Sequence, residues 1–175
     1  GNQRNFLQSM NDPISEALME LPNENQPGEW TEKYADRLAT TAEIAAICGE
    51  VTQKITQAKA QAIRNTYRLE VYEQVNQMTA FTAKVLLTLQ EYDNATTEVQ
   101  RSALQQRIQQ LPDEFQQLRT DFEQVYSQTR KLYKPENYIL DQDHHVHLAN
   151  QSRNFDWQFY AEQLMMEQLN LRFSE

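Results

Sequence analysis

Glycine is almost absent from this chain: only Gly1, Gly28 and Gly49 occur in 175 residues. Loops that cradle phosphates need closely spaced glycines beside a helix start, so a Rossmann fingerprint, a Walker loop and a nucleophile elbow are excluded. Hairpin-rich β folds, which depend on glycine turns, are disfavoured for the same reason. Cys48 is the single cysteine, so no internal disulfide can form and the compartment stays open. Basic residues are scarce: 16 Lys and Arg stand against 25 Asp and Glu, a net charge of -9. Such a surface repels phosphates, and no nucleic-acid partner is expected. No apolar run approaches the roughly 20 residues of a membrane span, so no membrane partner is expected either. No secretory leader is visible. The chain has no initiator Met, and Gly1 reads as the remnant of a cleaved tag. The expectation is a piece cut from a longer protein, so the missing targeting signals say nothing about the parent.

What is abundant is glutamine, with 23 residues. Glutamine is a good helix former that solvates a polar face without charge. Hydrophobic residues make up 39%, lean but enough for one core in a chain of one-domain length. Asp12-Pro13 predicts the start of a short helix over about 13–21, with aspartate as cap and proline in the first turn. Residues 22–28, with Pro22, Pro27 and Gly28, read as a linker. The chain thus divides into an arm and linker, 1–28, and a helical domain, 29–175. Helical spacing resumes at Trp30, Tyr34 and Leu38. Thr40-Thr41-Ala42-Glu43 has the form of a capping box, which predicts a helix boundary near residue 40. Ile44, Ile47, Val51, Ile55, Ala58 and Ala62 then recur at threes and fours. Tyr67, Val71, Val75, Met78, Val85, Leu89 and Tyr92 continue the stripe on a rotated face. Unbroken, residues 41–93 would span about 80 Å, too long for a compact domain. A bend near Gly49 or near 64–68 is expected. Thr97-Glu98-Val99-Gln100 is a second capping box, opening a short helix through Leu104, Ile108 and Leu111. Pro112 with Asp113 and Glu114 predicts a further helix start. Its stripe is Phe115, Leu118, Phe122, Val125, Tyr126 and Leu132, and Pro135 closes it. After a loop over 135–143, a last helix is expected from about 144 to 172, carrying Leu148, Phe155, Phe159, Leu164 and Leu169. The fold class is all-α: a bundle of three to four main helices, one long or bent, with short additions.

The densest chemical cluster is Asp141-Gln142-Asp143-His144-His145-Val146-His147, which holds all three histidines. Imidazole and carboxylate suit zinc or a similar ion, and His144 and His147 share a helical face, with Asp143 beside them. The spacing matches no standard zinc signature, and no cysteine pair supports it. The alternatives are an aspartate N-cap with packed histidines, or a contact to another domain or subunit. No metal or other cofactor is assigned. A di-iron bundle site needs Glu-x-x-His motifs, and the chain has none. Cys48, between Ile47 and Gly49, reads as a buried inert thiol rather than a nucleophile. Trp157 could stack on a sugar ring, but at helical spacing it reads first as core or contact. Asp156 and Glu162 are scattered acids with no acid–base pairing. The net charge of residues 136–175 is -5, which reads as a solvated face. Asn94-Ala95-Thr96 and Asn150-Gln151-Ser152 match the glycosylation acceptor pattern, one that recurs by chance.

One segment is less generic. Glu91-Tyr92-Asp93, Phe122-Glu123-Gln124-Val125-Tyr126 and Thr129-Arg130 lead into Lys134-Pro135-Glu136-Asn137-Tyr138-Ile139-Leu140-Asp141. His147-Leu148-Ala149-Asn150-Gln151 and Asn154-Phe155-Asp156-Trp157-Gln158-Phe159 follow. Over residues 40–172, and most specifically over 122–159, this resembles the helical region that follows the catalytic barrel in some bacterial glycoside hydrolase family 20 proteins, the β-N-acetylhexosaminidases. In that family the catalytic aspartate–glutamate pair lies in the barrel. No catalytic residue is therefore carried over to this chain. The resemblance implies a non-catalytic accessory domain that packs on the barrel of the same parent chain or mediates a homodimer. It implies a glycoside hydrolase as parent, with an envelope or exported location. Its contact surface would involve Tyr138, Asp141, Asp143, His144, His145, His147, Asn150 and Trp157. The alternative is a stand-alone helical interaction or sensor module without enzymatic activity.

Overall fold

The computed structural model describes residues 20–129 and 159–174. They form an all-α bundle: α1, Glu29–Lys33; α2, Ala35–Gln61; α3, Thr66–Asp93; α4, Glu98–Ser127; α5, Tyr160–Phe173. No strand occurs among the described residues. The expected helix over 13–21 and residues 144–158 of the expected last helix lie almost wholly or wholly outside them.

The long stripe does not bend; it turns back on itself. Ala62 leaves the helix in an extended conformation and Asn65 enters α3 with a left-handed φ of 60°, a conformation asparagine tolerates better than most side chains. Asn76 Nδ2 then donates to the Cys48 carbonyl at 3.0 Å and to Thr52 Oγ1 at 2.9 Å. Lys59 pairs with Glu73 at 2.7 Å. Contacts descending in α2 as they rise in α3 make the two helices antiparallel. Gly49 sits inside α2 and breaks nothing.

Two expected boundaries are absent. α2 runs straight through Thr40, and the break lies at Tyr34 instead. The hydroxyls of Thr40 and Thr41 donate to the carbonyls four residues back, Asp36 at 3.1 Å and Arg37 at 2.8 Å. They are satisfied inside the helix and cap nothing. α4 likewise runs through Pro112. The ring removes the amide that would bond the Ile108 carbonyl, a cost of about 3 kcal/mol in a helix interior. The burial of Ile108, Leu111 and Phe115 on the same face outweighs it. The box at residue 97 is real: Gln100 N donates to Thr97 Oγ1, and Thr97 N to Gln100 Oε1, both at 3.2 Å.

α3 is the central helix. Phe81, Val85, Leu86, Leu89 and Tyr92 are buried along it. α4 packs antiparallel to it, with Phe81 stacked on Phe115 at 5.9 Å between ring centres. Lys84–Glu114 at 2.5 Å and Arg107–Glu91 at 2.6 Å bridge the same pair of helices. Both bridges are exposed and contribute at most about 1 kcal/mol each. α5 lies antiparallel against α4. Phe159, at its start, meets Phe115 and Phe122 edge-on at 6.3 and 5.5 Å. At its end Gln109 donates to the Phe173 carbonyl, and the Phe173 ring stands edge-on to Tyr92 at 5.2 Å. Met165, Met166 and Leu169 complete the core between them.

Candidate functional site

The residues singled out for chemistry or contact from the sequence, Tyr138, Asp141, Asp143, His144, His145, His147, Asn150 and Trp157, all lie outside the described residues. Among the described residues no group of three or more His, Cys, Asp or Glu side chains could hold a metal ion. Cys48 is buried in α2 and burial pushes its thiol up, so little of it is the reactive thiolate. Glu162 is buried, not part of a solvated acidic face. Asn94 of the first glycosylation tripeptide already donates through Nδ2 to Thr31 Oγ1 at 2.8 Å and the Gln90 carbonyl at 2.9 Å.

Two places on the molecule stand out. The first is a polar knot where α3 ends. Gly28, with a φ of 86°, precedes α1 without a side-chain cap. Its amide donates to the Asp93 carbonyl at 3.1 Å. Tyr92 Oη donates to Glu24 at 2.8 Å. Burial, then the Glu24 carboxylate, push the Tyr92 phenol up to about 12. Trp30 is buried and its indole N–H donates to the Glu20 carbonyl at 2.7 Å. An open groove beside Trp30 is lined by Glu20, Asn23, Gln26, Glu29 and Lys33. The knot thus fastens residues 20–34 to the end of α3. Its acids and amides mostly satisfy one another or the backbone, which suits a structural clasp.

The second place is a side of the α2–α3 hairpin left exposed among the described residues. Cys48, Thr52 and Lys59 of α2 face Glu73 and Asn76 of α3. One step back in sequence turns a helical side chain by about 100°. From Cys48 and Thr52 that step leads to Ile47 and Val51; from Glu73 and Asn76 it leads to Tyr72 and Val75. Because the helices are antiparallel, both steps lead to the same side of the hairpin. Ile47 is 55% exposed, Tyr72 63% and Val75 49%, and Val51 is half-buried. The sequence pattern placed Ile47 and Val75 in the core stripe. They belong instead to a second apolar row, beside the buried one that holds Cys48 and Ile55. Ile63, Val99 and Leu171 are also exposed, but singly, which is ordinary for a protein surface.

Beyond this row, Glu43 lies toward one end of the hairpin and Arg68 toward the other. Both are exposed. Neither makes an ion pair or a side-chain hydrogen bond among the described residues. The face therefore combines apolar side chains with charges, Glu43, Lys54 and Arg68, that make no ion pair among the described residues. No helix among the described residues is long and apolar enough to cross a membrane.

No family model, curated protein or solved structure matches this chain.

Proposed function

We propose that this chain is a non-catalytic helical interaction domain whose working surface is the α2–α3 face bearing Ile47, Val51, Tyr72 and Val75. The observation that carries this reading is the exposure of that row on helices whose other apolar rows are buried. A contiguous apolar row on a water-facing helix pair has no role in the core and is the usual mark of a docking surface. Tyrosine at its middle adds a large, rigid contact residue with a polar tip.

A photo-crosslinking residue at Val75, in the source cells, tests it directly. A crosslinked species of higher mass is expected from this position and not from Ser102, an exposed position on α4. No crosslink from Val75, either to another chain or to a distant part of its own polypeptide, would sink the reading.

A narrower version makes this an accessory domain of a β-N-acetylhexosaminidase-like glycoside hydrolase, with the barrel of the same chain as its partner. It rests on the sequence resemblance over residues 122–159. Its test is the mass of the native protein in its source cells. A mass several-fold above 20.6 kDa, with an adjacent aspartate and glutamate in an upstream barrel, would support it. A native mass near that of this chain would remove it.

A further inference from the structure

We propose that α1 and α2 are two parts of one helix, held bent at Tyr34 by the end of α3, and that α1 is a hinged strap. When its contacts with α3 release, residues 29–61 straighten into a continuous helix and Trp30 leaves the core. This is separate from the reading of the α2–α3 face.

The bend has no local cause. Sharp kinks trace to proline, to glycine and serine pairs, or to a group inserted in the ladder. Residues 29–48 contain no proline, glycine or serine. The row Trp30, Tyr34 and Leu38 keeps its helical spacing straight through the bend. A single residue separates the two helices: Tyr34, with φ -112° and ψ 18°. Helical bonds meet on both sides of it. Tyr34 N donates to the Trp30 carbonyl at 3.1 Å, and Leu38 N to the Tyr34 carbonyl at 3.0 Å. The ladder is interrupted at the amides of Ala35, Asp36 and Arg37, which in a straight helix would reach Thr31, Glu32 and Lys33.

The cause lies at the end of α3. Asp93 fastens the strap twice: its carboxylate accepts from the Thr31 amide at 2.8 Å and its carbonyl from the Gly28 amide at 3.1 Å. Trp30 is buried in the cluster that also holds Leu38, Leu89 and Tyr92. A straight helix cannot keep these contacts. Asn76 bonds both Cys48 and Thr52, so residue 76 is level with about residue 50, and Asp93 with about residue 33. Straightening carries Trp30 about 5 Å past the end of α3. It also aims the Thr31 amide along the helix axis, away from Asp93, because helix amides point toward the N-terminus.

The two forms trade one set of contacts for another. Bent, the chain buries a tryptophan and caps α1 from outside. It also keeps Glu32 from Asp36 and Lys33 from Arg37, like charges that a straight helix sets one turn apart. Straight, it completes three interrupted helical bonds and frees the strap. Two packings of one sequence, divided by a single hinge residue, make a two-state element.

Pulsed electron resonance on the full chain reads the hinge directly. Spin labels go on Glu29→Cys and Gln53→Cys, two exposed positions, with Cys48→Ala to remove the native thiol. A continuous helix sets these positions about 36 Å apart at 1.5 Å per residue; the bent form brings them closer. The parent is expected to show mainly the shorter distance. Asp93→Ala, which removes the carboxylate, and Trp30→Ala, which removes the buried ring and keeps a good helix former, should each shift the population toward about 36 Å. The far-ultraviolet helical signal should hold or rise in both. A parent already at the long distance overturns the proposal. So do variants that keep the parent's distance, since the end of α3 then does not hold the bend. Broad distances with a weaker helical signal overturn it as well, since the strap then unwinds instead of straightening.

Discussion

The Asp93 carboxylate accepts a hydrogen bond from the backbone amide of Thr31 at 2.8 Å, across 62 residues of sequence. Thr31 is the third residue of α1, where a helix amide has no partner within the helix. Its N-cap, Gly28, has no side chain to offer. The last residue of α3 therefore caps α1 from outside, and its negative charge lies at the positive end of the short helix. Asp93 Oδ1 is buried without a hydrogen-bond partner among the described residues, so Oδ2 carries the capping contact alone.

Removing that carboxylate should loosen α1 and its linker. Asp93→Ala is expected to cost about 1–3 kcal/mol, the range for a cap or a charge-assisted hydrogen bond. Asp93→Asn keeps an acceptor oxygen and should cost less. Thermal melts of the two variants check this. Equal losses would show that the contact is not what holds α1.

The Tyr92 phenol should make the fold sensitive to alkali. In the folded chain it keeps its proton up to about 12, against an ordinary value of 10.0. Between those values the folded state binds the proton that the unfolded state has released. Stability from this group is fully present below pH 10 and falls as pH rises toward 12. Tyr92→Phe should flatten that part of the profile. Urea melts across the alkaline range measure both slopes, and identical slopes would contradict the assignment.

Cys48 should be slow toward a water-soluble thiol reagent at neutral pH, since burial both shields it and keeps it protonated. Concentrated guanidinium should make it react at once. Rapid labelling of the native protein would mean that α2 opens locally.

The core and the face should respond differently to truncation. Leu86 is fully buried, so Leu86→Ala is expected to cost about 2–5 kcal/mol. That corresponds to a fall in Tm of roughly 5–15 °C for a chain of this size. Val75→Ala should stay within about 0.5 kcal/mol of the parent. Calorimetry separates the two.

Pro112→Ala should stabilise the protein. It restores the amide facing the Ile108 carbonyl inside α4, worth about 3 kcal/mol. About 0.4–1 kcal/mol is lost because the unfolded chain becomes freer. A rise in Tm is expected, and a fall would mean that α4 needs its proline for shape.

Much of the helical architecture was legible in the sequence because its causes are local. The near absence of glycine, the threefold and fourfold spacing of apolar residues and the Thr97–Gln100 box each act within four or five residues. They led to an all-α chain, to the start of α4 at its observed residue, and to an interruption of the long stripe, expected as a bend near Gly49 or near 64–68 and found as a reversal over 62–65. The rows Leu104–Ile108–Leu111 and Phe115–Leu118–Phe122 pack as their spacing implies.

Other features were decided only where the helices meet. Thr40 carries a local cap signal and Pro112 a local break signal, yet α2 and α4 run through both. A continuous buried face is worth more than either boundary, and its burial depends on neighbouring helices. Ile47 and Val75 have the same apolar character as Ile55 and Val85. Which row is buried depends on where α3 lies against α2, and one step around a helix separates inside from outside. The Asp93 cap is equally invisible from either end, since it joins residues far apart in the chain. Periodicity determined which segments are helical and which residues share a face; the antiparallel packing of the hairpin decided which apolar face the protein hides and which it offers.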